Sequence, residues 1–182
     1  MRRGRYGGMD VLTTRRVYEG RVVNLRVDTL PGQNGKPHDV EVVEHAQAVV
    51  VIVRPTPREM VLVRQYRHPV GREHWEAVAG GMEPGETPEQ AAARELREET
   101  GYRARRVERL WSGYSAPGFC DELLHFCLVD GYDVGEPEPD EGEDGIEVGV
   151  FTLDELWRKI RADELTDCKT QVAVLWALSG RS

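Results

Sequence analysis

Along the first part of the chain, apolar and polar residues alternate with a period of two. Val23, Leu25 and Val27 take every second place in a run otherwise polar, the spacing of a strand with one covered face. Strands are expected at residues 15–18, 22–30 and 40–44. Residues 31–37 form a turn, because Gly32, Asn34 and Gly35 lie between two prolines. Residues 49–53 break the alternation with an unbroken run, Val-Val-Val-Ile-Val. Such a run suits a central strand buried on both faces. Pro55 and Pro57 end it, and residues 60–66 return as the next strand. Residues 75–79 then lead into a glycine-rich loop at 80–85.

The pattern next becomes helical. Thr87 is a good N-cap, Pro88 suits the first helical position, and Gln90 completes a capping box. Gly101 stands where a helix stops, so the spacing predicts a helix over 88–100. Strands are expected at 107–111, 123–129 and 146–151. An acidic loop with Pro137 and Pro139 fills 135–145, and helices follow at 153–161 and near 171–178. This order predicts an α/β (α+β) fold. A mixed sheet lies between helices, with an N-terminal antiparallel strand extension.

Composition narrows the classes. The chain has 182 residues, 40% hydrophobic and 31% charged, which fits one domain with a short extension. We divide it into a flexible tail at 1–14, an N-terminal β region at 15–45 and a main domain at 46–182. No apolar run approaches the roughly 18 residues that span a bilayer, so no membrane partner is expected. The arginines near the N-terminus precede no apolar segment, unlike a secretory signal. Cys120, Cys127 and Cys168 form no CxxC pair. They read as reduced, incidental thiols in a cytoplasm.

The net charge is −8, which argues against a nucleic-acid surface. A phosphate substrate would therefore need local positive charge, from metal ions or a few placed arginines.

The chemistry concentrates in the helix at 88–100. At about 100° per residue, Glu95, Glu98 and Glu99 share one sector, while Ala92, Leu96 and Thr100 occupy the next and can face a sheet. Like charges at that spacing repel on a bare helix. A divalent cation turns the repulsion into coordination, and Mg²⁺ favours carboxylate oxygens, waters and substrate phosphates. Arg94 can reach Glu98 one turn on, and Glu86 can brace the loop before the helix.

Gly80, five residues, Glu86, seven residues, then Arg94-Glu95-Leu96-Arg97-Glu98-Glu99-Thr100-Gly101-Tyr102 resembles the signature box of the Nudix hydrolases. Tyr102 stands where an aliphatic residue is usual. The resemblance implies the Nudix fold and hydrolysis of a nucleoside diphosphate linked to another moiety. It implies Mg²⁺ or Mn²⁺, two or more ions, held by Glu95, Glu98, Glu99 and the carbonyl of Ala79.

Arg64-Gln65-Tyr66-Arg67, Glu76-Ala77-Val78-Ala79-Gly80 and Pro117, sixteen residues past Gly101, resemble the ADP-ribose pyrophosphatase branch. That resemblance implies substrate contacts at Arg67, Glu76, Pro117 and Glu122. It implies a catalytic base on the acidic loop, Glu141 or Glu143 ahead of Asp144, with Glu98 also catalytic. It implies a homodimer joined through the N-terminal strands, and ADP-ribose split to AMP and ribose 5-phosphate. Ala77-Val78-Ala79-Gly80 and Phe119-Cys120-Asp121-Glu122 depart from the branch, so GDP-mannose or another nucleoside diphosphate derivative stays open as substrate. A nucleotide sensor without activity would be expected to lose box glutamates, and none is lost here. His68 and His125 have no evident partner in the sequence and are left out of the site.

Overall fold

A computed structural model of the chain describes residues 5–6, 9–32, 34–136 and 145–180. It divides into two compact units, Met1–Gln47 with Gly113–Leu123, and Ala48–Ser112 with the remainder.

In the first unit, β1 (Arg5–Tyr6) pairs with β2 (Met9–Asp10). The strands β3 (Thr13–Glu19), β4 (Val23–Leu30) and β5 (His38–His45) form an antiparallel sheet in that order. The alternation in β4 predicts burial of Val23, Leu25 and Val27. The structure corrects this: Arg26 and Asp28 are the buried residues, and Val23 is exposed. Electrostatics gives the reason. Arg26 donates to Asp28 at 3.0 Å and to Glu44 at 2.5 Å, and Arg16 meets Glu44 at 2.7 Å. Buried charges persist only when paired in this way. The apolar side of the sheet is left part-exposed, with Leu12, Val17, Tyr18 and Val22 also open to solvent.

The second unit is built around β6 (Ala48–Val53), every residue of which is buried. The remaining strands are β7 (Glu59–Arg67), β8 (Arg72–Glu76), β9 (Val78–Gly81), β10 (Arg103–Ala104), β11 (Val107–Tyr114), β12 (Leu123–Val129), β13 (Tyr132–Asp133) and β14 (Glu147–Thr152). The helices are α1 (Pro88–Thr100), α2 (Leu153–Arg161) and α3 (Cys168–Leu178). One sheet runs β11-β12-β6-β9 and another runs β14-β7-β8. The first is mixed, since β12 pairs with β6 in parallel and β9 pairs with β6 antiparallel.

The period of two in β6 separates two cores. Val50 and Ile52 pack with Leu153, Leu156, Ala173 and Val174 of α2 and α3. Val49, Val51 and Val53 pack with Ala91, Ala92 and Leu96 of α1. Sheet between helices, as the sequence predicts, is thus the consequence of one strand with two apolar faces. Two expectations need correction. Gly80 and Gly81 close β9 rather than opening a loop, because they pair with Val49 and Ala48. The last helix begins at Cys168 rather than near 171, because Asp167 accepts from the Thr170 amide and caps it. Among the described residues no helix is long and apolar enough to cross a membrane.

Candidate active site

The site grows from the junction of β9 with α1. Thr87 accepts from the Gln90 amide and Gln90 accepts from the Thr87 amide, while Gly101 ends the helix in the left-handed region at φ 75°. These caps fix the first and last turns, and so fix which residues face β9. Glu95, Glu98 and Glu99 retain only 6, 8 and 2% exposure.

Arg94 is the hub that makes this burial tolerable. Its Nη1 donates to Glu95 at 2.7 Å and to Glu98 at 2.9 Å. Its Nε and Nη2 donate to the two oxygens of Glu86 at 2.9 and 3.0 Å, and Nη2 also reaches the Gly81 carbonyl at 2.8 Å. Arg97 stands 3.8 Å from Glu98. Glu86 in turn accepts from the Glu83 amide at 2.8 Å and so stiffens the loop. The Arg94 fork holds the Glu86 carboxyl below the usual carboxylate range, and the Glu86 contact leads in raising the Arg94 guanidinium above its own.

Gly80 completes the arrangement. A β-carbon there would lie 2.1 Å from the Glu95 carboxyl carbon. Any side chain at this position must push that carboxylate away.

The donor set suits a hard divalent cation. It offers carboxylate oxygens alone, several negative charges share one Arg94, and a glycine cradle admits the Glu95 head group. Among the described residues, however, no three acidic, His or Cys side chains converge to hold an ion; Arg94 draws Glu95 and Glu98 to itself. Ala79, the expected carbonyl ligand, lies in β9 opposite Val50.

A second cluster forms beside the first. Arg67 closes β7 and Glu76 closes β8. The arginine forks onto the carboxylate, with Nε to Oε1 at 3.0 Å and Nη2 to Oε2 at 2.9 Å. Lys169 of α3, which the sequence reading missed, adds Nζ to Oε2 at 2.7 Å. Burial alone would push the Glu76 carboxyl up, but Arg67 and Lys169 together hold it below the ordinary range. The guanidinium of Arg67 is raised, chiefly by Glu76 and with a smaller contribution from the charge of Glu99. No local signal in the sequence ties Lys169 to Glu76, 93 positions away.

The other expected residues fall elsewhere. Pro117 and Glu122 belong to the first unit. Pro117 is exposed in a turn, while half-buried Glu122 lies 3.3 Å from His45 Nδ1. Glu141 and Glu143, with Asp144, lie outside the described residues. His125 is not the lone histidine of the sequence reading. Its Nδ1 lies 2.7 Å from Ser112 Oγ, which also accepts from Arg109 at 2.9 Å. Burial, and then the charge of Arg109, push it below the usual histidine range. Burial pushes the Cys127 thiol up to about 12, so it stays protonated near neutrality. A cavity of about 1070 Å³ between the Arg54–Arg58 loop, α2 and the end of α3 is lined by none of the predicted site residues.

The NUDIX domain family model matches residues 44–168, a span that holds the whole β9–α1 junction. The chain belongs to the Nudix family. An ADP-ribose pyrophosphatase of Bacillus subtilis is 36% identical to it over 87% of this chain and 86% of its own length. A methanol dehydrogenase activator of Bacillus methanolicus is 39% identical over 90% of this chain and 89% of its own. Among solved structures, an ADP compounds hydrolase superposes with a TM-score of 0.81 at 19% identity, covering 94% of this chain and 92% of that one. That likeness shows the shared fold. This Nudix pyrophosphohydrolase therefore carries its box on α1, with Arg67 and Glu76 beside it.

Proposed function

We propose that the protein hydrolyses ADP-ribose to AMP and ribose 5-phosphate, with Mg²⁺ or Mn²⁺ as cofactor. The observation that carries the diphosphate chemistry is the buried face of Glu95, Glu98 and Glu99 under the glycine cradle of Gly80. The ADP-ribose pyrophosphatase of B. subtilis, alike over most of both chains, supports the choice of substrate. Glu95, Glu98, Glu99 and the Ala79 carbonyl would hold the metal, two or more ions in this reading. When bound, the ions neutralise phosphate charge and acidify water. Arg67, braced by Glu76, meets a phosphate as a planar fork suited to that shape. Glu141 or Glu143 accepts the proton of the attacking water, and Glu98 assists.

A panel of ADP-ribose, GDP-mannose, NADH, diadenosine polyphosphates, CoA and nucleoside triphosphates, with products identified, tests this. The expected outcome is fastest turnover of ADP-ribose to AMP, abolished by EDTA and restored by Mg²⁺ or Mn²⁺. Faster turnover of GDP-mannose would assign the nucleotide-sugar alternative. Ligand bound and left whole would assign a sensor.

The active species is a homodimer in the cytoplasm. The part-exposed apolar residues of the β3-β4-β5 unit, Val17, Tyr18, Val22 and Val23 among them, support that reading. Light scattering at micromolar concentration is expected to give twice the chain mass, and a monomer there would count against it.

A further inference from the structure

Glu76 retains only 3% exposure, and three donors hold it there. Two come from the Arg67 fork and one from Lys169, in the first turn of α3. That turn also grips the backbone beside Glu76. The Ala77 amide donates to Thr170 Oγ at 2.7 Å. The Thr170 amide and hydroxyl both donate to Asp167 Oδ2, and Oδ1 of the same residue lies 3.0 Å from Lys169 Nζ.

The consequence is mechanical. The last torsion of a glutamate is broad and roughly two-fold. A carboxylate gripped by one guanidinium can rock, and the guanidinium rocks with it. A second cation on Oε2, rooted in a capped helix, removes that freedom. Glu76 then meets two cations, of which Lys169 is itself shared with Asp167. The side chain of Arg67 remains 40% exposed, against 17% for Lys169. The arginine has an open edge for an anion, and the lysine acts from behind.

We propose that Lys169 is a positioning residue for anion recognition, locking the Glu76 carboxylate and through it the plane of the Arg67 guanidinium that meets a substrate phosphate. The proposal rests on the reading of Arg67 given above. A role of this kind differs from plain structural support because its effect must pass through Arg67. Lys169→Met keeps the apolar stem and removes the charge, while Lys169→Arg keeps the charge.

Steady-state kinetics on the full chain test it, using ADP-ribose or whichever panel compound is hydrolysed fastest, with melting curves alongside. Lys169→Met is expected to raise KM about tenfold, the scale of one lost charge-assisted hydrogen bond. Its kcat stays within about twofold of the parent, and Lys169→Arg recovers most of the loss. In an Arg67→Gln background, Lys169→Met adds almost nothing, as expected for two residues acting on one contact. A normal KM in Arg67→Gln overturns the reading of Arg67 and this proposal with it. A raised KM there with a normal KM in Lys169→Met overturns this proposal alone. So does an equal further rise in the Arg67→Gln background, which would mark general structural damage.

Discussion

Replacing Glu99 by Gln lowers kcat by about three orders of magnitude, roughly 4 kcal/mol of barrier. The fold survives. Gln has the same shape, and Glu99 stands at i,i+4 to Glu95, so removing its charge relieves a repulsion on α1. The residue is among the most buried acids of the molecule, at 2% exposure. A buried carboxylate among like charges is costly unless a cation answers it. Neutralising it removes a hard oxygen donor while leaving packing alone, so the loss falls on activity rather than stability. Initial rates in Mg²⁺, set beside a thermal melt, make the measurement. Near-normal rates in the variant would remove the α1 carboxylates from metal binding and return them to a structural role.

Replacing Arg94 by Ala does the opposite and strikes the fold first. Arg94 donates to Glu86, Glu95 and Glu98 and to the Gly81 carbonyl. Its side chain is only 17% exposed. Removing one partner of a buried ionic network typically costs about 3–5 kcal/mol. For a chain of this length that corresponds to a fall of roughly 10 °C in Tm. Urea unfolding measures it directly. A loss under about 1 kcal/mol, the range of exposed ion pairs, would show the carboxylates to be solvated. Activity falls as well, since the same bonds orient Glu95 and Glu98, and Glu86 loses its tie to the helix.

Much of this architecture is legible from local chemistry. Thr87, Pro88, Gln90 and Gly101 mark the ends of α1, and the structure has the helix at Pro88–Thr100. Caps are readable because they act within four residues. The run from Val49 to Val53 announces a strand with two covered faces, and β6 is one. Other readings failed where distant partners overrule local preference. Gly80 and Gly81 have poor strand propensity, yet ladder pairing with Val49 and Ala48 makes them strand. In β4 the apolar alternation pointed to one face, while the Arg26–Asp28–Glu44 ion pairs took the buried side. Ser112 and His125 come together only because β11 and β12 are neighbours.

The sequence by itself determined the box: a capped helix with three carboxylates in one sector, and an arginine placed to reach one of them. These are consequences of helical period and of end groups, which depend on near neighbours alone. Tertiary structure decided what the box rests against. Only the folded chain brings the Glu95 carboxylate onto Gly80, ties Arg94 to the Gly81 carbonyl and sets Lys169 against Glu76. The physical reason is that each of these contacts joins residues from different elements. Their meeting depends on which strand lies beside which helix, and the core around β6 fixes that.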